Sequence, residues 1–298
     1  MSAVTKPVIG ILFPGEMGST LGRLLIGQGY RVITTFAGRS ARTQRLSGDA
    51  GLETVASIAD LARGAQVVLS SVPPGVAQAV ARGYCLNIAP AQAPLYVDLN
   101  SISPEETLAI AEACKQRGVR FVDGAIHGMA ARLPEAGTLY LSGPWANEVA
   151  EMFAPVMRVK VLGETAGQAS AFKMLISGLA KGVVALFLEM ALAAREADLL
   201  DELLTCYRDA YPGIMELVDR LLPTYPMHAA RRGVELEEVG RTFRGLGLRP
   251  CLVSAAQQLT AAVGRLDLAD RKRSDAAKWS VPEVIEVIFA GNPLRAFQ

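Results

Sequence analysis

The chain has 298 residues, room for about two domains at roughly 100 to 200 residues each, and is too long for a peptide hormone or a disulfide miniprotein. Thirty Lys and Arg against 29 Asp and Glu leave a net charge of +1, which offers no general field for nucleic acid or anionic lipid, so any anion site has to be local. Hydrophobic residues make up 51% and charged residues 20%, too apolar a balance for a disordered chain. The most apolar stretch, 174–194, contains Lys181 and Glu189; a spanning helix needs about 20 nearly uninterrupted apolar residues, so this one reads as a buried helix with no membrane role. No basic segment followed by an apolar run and a small-residue cleavage site opens the sequence, which gives a cytoplasmic expectation. Cys85, Cys114, Cys206 and Cys251 lie far apart without a C-x-x-C pair; they read as reduced thiols serving as small apolar residues, with neither a disulfide framework nor a metal site.

Along the chain, apolar and β-branched runs at 8–13, 31–36, 67–72, 95–99 and 120–122 alternate with Ala- and Leu-rich segments of helical period. Strands buried on both faces read as continuous apolar runs, so a parallel sheet covered by helices is expected. Ser103-Pro104-Glu105-Glu106 combines an N-cap, a proline at the first helical position and a glutamate three after the cap, and predicts a helix start. Runs at 138–141 and 156–162 complete the sheet. After residue 163 everything reads helical. Phe172, Leu175, Ile176, Leu179, Val183, Leu186, Phe187, Met190 and Ala194 recur at steps of three and four, the pattern of one long helix with a wide apolar face. Gly178 and Gly182 lie one turn apart in it, and their cost of about 1 kcal/mol each against alanine implies close approach of another helix or a ligand. The expected architecture is an α/β Rossmann domain, 1–162, followed by an all-α domain, 163–298, joined by the long interdomain helix.

The sequence Phe13-Pro14-Gly15-Glu16-Met17-Gly18 follows the first strand directly and opens a helix predicted over 19–28. A dinucleotide site needs a tight turn, a glycine where backbone approaches the pyrophosphate, and free N–H groups at a helix start. Gly15 and Gly18 fill the second and third places of G-x-G-x-x-G, while Phe13 stands at the first. About twenty residues further on, where an NAD enzyme carries Asp or Glu for the ribose 2′-hydroxyl, the chain has Arg39 and Ser40, with Arg42 nearby. A guanidinium pairs with a 2′-phosphate that a carboxylate would repel, so NADP is expected over NAD. Val72-Pro73-Pro74 ends a central strand at the edge where such a sheet binds dinucleotide, or merely terminates it.

Four segments in this order resemble the β-hydroxyacid dehydrogenase and 6-phosphogluconate dehydrogenase-like oxidoreductases across essentially the whole chain: FPGEMG at 13–18, DLNSISPE at 98–105, VDGAIHGM at 122–129 and GQASAFKMLIS at 167–177. The stretch from Lys181 through Glu189 to His228 and Arg232 further resembles a C-terminal domain of unknown function found in some members. By this resemblance Lys173 is the general acid or base, hydrogen-bonding a carbonyl oxygen and protonating the developing alkoxide as hydride arrives from NADPH. Ser177 falls one turn on, where the family has asparagine, and Lys181 a further turn on, either adding positive charge to the pocket or else held in a buried ion pair or solvated. Asn100 and Ser101 stand at the family's Ser-Thr pair, where either donates to a substrate oxygen while its backbone approaches the nicotinamide. Val72, Pro73 and Pro74 cover the adenosine half of the cofactor.

His127 and Met129 replace residues with which the family holds a substrate carboxylate. His127 therefore binds an acidic group, acts as a second proton carrier near neutral pH, or packs. His228 with Arg231 and Arg232, three and four residues on, forms a cationic patch for a phosphate or carboxylate, or else a solvated face or subunit contact. The resulting expectation is an NADP-dependent oxidoreductase, a homodimer, acting on a small carbonyl or hydroxy substrate with an acidic group. The alternatives are an imine reductase and a dinucleotide-binding sensor without turnover.

Overall fold

The strand-forming runs become β1 (Ile9–Leu12), β2 (Val32–Thr35), β3 (Glu53–Val55), β4 (Val67–Ser70), β5 (Leu95–Asp98), β6 (Arg120–His127), β7 (Thr138–Ser142) and β8 (Arg158–Gly163). They form one sheet in the order β3-β2-β1-β4-β5-β6-β7-β8. In this computed structural model, which describes residues 6–36, 39–89, 93–266, 268, 279–291 and 293–294, every residue of β1, β2, β4 and β5 is buried. That is the physical meaning of their unbroken apolar patterns. Two features depart from the expected parallel sheet: β7 runs antiparallel to β6, and β3 is a short extra edge strand without an apolar run to announce it. β6 is also longer than its apolar stretch, continuing past the register pair Asp98–Asp123 to His127.

Helices cover both faces: α1 (Glu16–Gly27), α2 (Ala41–Asp49), α3 (Ile58–Gly64), α4 (Ala77–Cys85), α5 (Pro104–Lys115), α6 (Leu133–Ala136) and α7 (Ala146–Phe153). On one side Leu21 and Leu25 of α1 join Ile9, Leu69 and Val97; on the other Leu61, Ala81 and Ile110 pack with Ile33, Val68 and Tyr96. Ser103 caps α5 through the Glu106 N–H with Pro104 at the first position, as its sequence predicts. Cys85 and Cys114 are buried with their sulfurs 3.6 Å apart, whereas Cys206 and Cys251 are exposed and do not serve as core residues.

The chain divides into two compact units, Met1–Lys173 and Met174–Gln298. The expected division was after 162. It falls later because the first turn of the long helix α8 (Gln168–Glu196) is hydrogen-bonded to Asp123 and Ser142 of the sheet. The second unit continues α8 and adds α9 (Leu200–Ala210), α10 (Pro212–Leu221), α11 (Tyr225–Gly245), α12 (Cys251–Gly264) and α13 (Val281–Gly291).

Val184, Phe187, Leu188, Ala191 and Leu192 form the buried stripe of α8, packed with Val218, Leu222, Tyr225, Ile285 and Ile288. A Cβ on Gly178 would lie 2.8 Å from Val239 Cγ1, so that glycine admits α11; one on Gly182 would meet nothing within 4 Å outside its own turn among the described residues. The helix is not the buried rod its composition implies. By length and composition it could cross a membrane, yet Leu179 is 72% and Leu186 60% exposed while the opposite stripe lies in the core. Its apolar surface is wider than the cores it meets, that stripe on one side and Ala185 with Leu236, Ala256 and Leu259 on another.

Candidate cofactor and catalytic site

The glycine turn follows β1 at the carboxyl edge of the sheet. Phe13, at the place of the first glycine, has φ 50°, the left-handed region in which a side chain costs roughly 1 to 2 kcal/mol. Burial of its ring among Leu12, Ile33 and Val72 offsets that strain, and the Arg39 guanidinium lies 3.8 Å over the ring centroid. Gly15 is the N-cap of α1, and no side chain caps this helix. A Cβ at Gly15 would meet nothing within 4 Å, which leaves the N–H groups of Glu16, Met17 and Gly18 open to an approaching anion. A Cβ on Gly18 would lie 3.0 Å from Pro14 Cβ and 3.3 Å from Ile11 Cγ2, so the third glycine permits close helix–strand packing. An uncapped helix start with open space before it fits a dinucleotide pyrophosphate. α1 begins at Glu16, three residues before its predicted start.

Arg39 and Ser40 lie just after β2, both exposed. Ser40 caps α2, accepting the Thr43 N–H at 3.3 Å, and its hydroxyl also shares a hydrogen bond of 3.3 Å with the Thr43 hydroxyl. Arg42 stands 3.8 Å from Glu16, tying the start of α2 to the glycine turn by an exposed pair. After β4, Val72 is buried and its N–H donates to Asn100 Oδ1 at 2.6 Å, with Pro74 opening a 3-10 turn. The Val72-Pro73-Pro74 loop is thus pinned to the end of β5.

This pinning corrects the expectation for Asn100. Its amide donates to Asp98 Oδ2 at 2.8 Å and to Ser70 Oγ at 3.2 Å, and the residue is 2% exposed. Both amide protons are engaged inside the protein, so Asn100 clasps the ends of β4 and β5 and has none left for a substrate oxygen. Ser101 beside it is half-buried. His127 ends β6 and is exposed, as is Met129.

Two buried carboxylates escaped the sequence reading. Asp98 at the end of β5 and Asp123 midway along β6 are register partners, each 0% exposed. The available signal was an acid closing an otherwise apolar strand run. Asp123 accepts from Ser142 Oγ (2.9 Å), Gly167 N–H (2.9 Å), Ser170 N–H (3.1 Å) and Ser170 Oγ (2.6 Å). Ser142 Oγ also accepts the Ala169 N–H at 3.0 Å. The orphan donors at the start of α8 are therefore satisfied from the sheet, and Lys173, half-buried, sits one turn further on.

Burial pushes the Asp98 carboxyl up to about 7; the Asn100 N–H pulls it down, Asp123 pushes it up, and the Asn100 amide and Lys173 ammonium pull it down. Its folded value exceeds the unfolded one, so the folded state keeps a proton that the unfolded chain releases between about pH 4 and 7. Stability is consequently lost as pH rises through that window, on the order of 4 kcal/mol in all at 1.36 kcal/mol per unit. Asp98→Asn is expected to flatten the decline in unfolding free energy between pH 5 and pH 8 by about 2 to 3 kcal/mol. Urea denaturation at the two pH values checks it, and an unchanged slope in the variant refutes it.

In the second unit, Lys181 pairs with Glu235 at 3.0 Å and donates to Ser177 Oγ, which resolves its role as an ion pair. Ser177 still holds its own proton to donate. The cationic patch does not form as expected. Arg232 is buried, donating to Leu221 O at 3.1 Å and Thr224 Oγ1 at 2.9 Å and lying over Tyr225, while Arg231 is 3.8 Å from Glu235. Arg232 holds the residues before α11 in place, leaving His228 and Arg231 at the surface.

A doubly wound sheet, a glycine turn opening into an uncapped helix and a basic residue after β2 define an NAD(P)-binding Rossmann protein. The chain belongs to the family of the NAD binding domain of 6-phosphogluconate dehydrogenase, matched over residues 8–160, and residues 194–263 match a domain of unknown function, DUF1932. The conserved protein MTH1747, of unknown function and described as structurally similar to 3-hydroxyacid dehydrogenases, is 29% identical with a TM-score of 0.70, covering 86% of this chain and 96% of that one. A 3-hydroxyisobutyrate dehydrogenase from Mycobacterium tuberculosis, solved with L-serine, shares the fold at TM-score 0.73 and 18% identity over 95% and 99% of the two chains. An imine reductase variant from Myxococcus stipitatus, in complex with NAD+, shares it at TM-score 0.59 and 16% identity, over 95% and 99%.

Proposed function

We propose that the protein is an NADP-dependent reductase of a small ketone or aldehyde bearing an acidic group, working reversibly with the corresponding hydroxy compound. The observation that carries this reading is Lys173: half-buried, one turn beyond a helix start tied to the sheet, with its charge felt at Asp98 on the end of β5. NADPH, when bound, supplies the hydride. The α1 N–H groups and Gly15 hold its pyrophosphate, and Arg39 with Ser40 take the 2′-phosphate. The Lys173 ammonium donates to the carbonyl oxygen and passes it a proton as negative charge develops. Ser101 supplies a hydroxyl donor to the substrate, and His127, exposed at the end of β6, binds its acidic group.

NADPH oxidation against β-keto acids, semialdehydes, simple ketones and cyclic imines tests the reading. Turnover of acidic carbonyls supports it. Turnover of imines alone moves the assignment to the imine reductases, whose fold the chain shares, and tight NADPH binding without turnover of any substrate moves it to a sensor.

The working form is a homodimer in this reading. Leu175, Leu179 and Leu186 of α8 and Leu252 of α12 are exposed together along an apolar groove of about 560 Å³, a surface that a monomer in water has reason to cover. Light scattering should give twice the 31.6 kDa chain mass, and Leu179→Glu with Leu186→Glu should bring it to the single-chain value. A monomeric wild type would rule the dimer out.

A further inference from the structure

The role of Lys173 raises the question of what sets its place. Its helix is not fixed by its own sequence. Residues 167–170 offer Gly167, Gln168, Ala169 and Ser170, none of them an acid that could complement the positive end of the helix dipole. That charge comes instead from β6. One carboxylate accepts the N–H of Gly167, just before α8, the N–H of Ser170 and the Ser170 hydroxyl, and its fourth donor, Ser142 Oγ, receives the Ala169 N–H in turn. Thr107 Oγ1 of α5 stands 2.9 Å from Ser170 Oγ, extending the same cluster to a second helix. Every member is 2% exposed or less apart from the backbone donors of the turn. Such a site is rigid, because a buried carboxylate left without these donors would be strongly destabilised.

We propose that Asp123 is the positioning residue for Lys173, acting through Ser142 and Ser170 to fix the first turn of α8, and that it touches neither substrate nor cofactor. The inference rests on the reading of Lys173 as the proton donor. Small misplacement of a reacting group is costly, on the order of 100-fold per ångström, whereas the glycine turn that binds the cofactor lies on α1 and is not part of this cluster.

The test uses the full-length protein with Asp123→Asn and Ser170→Ala, at a temperature where circular dichroism shows each to be folded. Expected for Asp123→Asn is a fall in kcat of about 30- to 100-fold with the KM for NADPH within about twofold of wild type. Ser170→Ala, which keeps the carboxylate and removes one hydroxyl, should lie between, and it decides the matter if Asp123→Asn does not fold. A second readout needs no turnover: trace acetylation of all lysines with acetic anhydride, quantified by peptide mass spectrometry. The rate at Lys173 relative to Lys6 and Lys160 should rise at least about threefold once the helix start is released and the negative charge is gone. Unchanged relative labelling of Lys173 overturns the inference, whatever happens to kcat. Absence of Lys173-dependent turnover in the wild type counts against the reductase reading alone, and the labelling ratio then still decides whether Asp123 positions the lysine.

Discussion

Lys173→Met should abolish turnover, lowering kcat by about three orders of magnitude, while the dissociation constant for NADPH stays within about threefold of wild type. General acid catalysis by a placed side chain is worth roughly 10²- to 10⁴-fold. Lys181, the next lysine on α8, is committed to Glu235 and Ser177. Methionine keeps the length and apolar stem of lysine, so the half-buried position stays filled and the start of α8 keeps its bonds to Asp123. Stopped-flow NADPH oxidation with the best substrate of the panel gives kcat, and fluorescence titration gives cofactor affinity. Turnover within tenfold of wild type would remove Lys173 from the chemistry and with it the reductase mechanism. Loss of turnover together with loss of NADPH binding would assign the residue to the cofactor instead.

The second large effect concerns cofactor choice. Arg39→Asp should shift the ratio of kcat/KM for NADPH over NADH by about 100-fold toward NADH. A hydrogen bond to a charged group contributes about 1.5 to 3 kcal/mol, which corresponds to roughly 10- to 150-fold, and aspartate adds repulsion of the 2′-phosphate while accepting from a ribose 2′-hydroxyl. Arg39 is well placed for this because Phe13 holds its guanidinium at 3.8 Å, in a cation–π contact of about 0.5 to 1 kcal/mol. The bulky residue at the first glycine position therefore has a use: it gives the arginine a platform. Arg39→Gln, which removes charge without adding repulsion, should fall between the two. An unchanged preference in Arg39→Asp would mean that the basic loop is only solvated and that the 2′-phosphate, if bound, is held elsewhere.

Much of this protein was legible before folding because it depends on local pattern. Continuous apolar runs announce strands covered on both faces, and β1, β2, β4 and β5 are buried throughout. Ser103-Pro104 announces α5, and Gly15 and Gly18 announce the cofactor turn, since each acts within a few residues of itself. What lacked a local signature was missed: β3 borrows its hydrogen bonds from β2, and β7 turns antiparallel although its composition is that of any other strand. The division of the chain at Lys173 likewise follows from hydrogen bonds that join residues over forty positions apart.

The same distinction runs through the site. Residue type singled out Arg39 and the glycine turn, because an arginine where an acid would bind a ribose is conspicuous in a string of letters, whereas Lys173 was singled out by the resemblance of its helix segment. Partners were not visible there. Only tertiary structure engaged both amide protons of Asn100, paired Lys181 with Glu235 and turned Arg232 inward to Leu221 and Thr224. Tertiary structure alone also set Asp98 beside Asp123 and gave Asp123 the start of α8 to hold. The physical reason is that local chain stiffness and side-chain period are short-ranged and written in order, whereas a polar group's role is decided by which donor or acceptor remains for it once distant segments are packed.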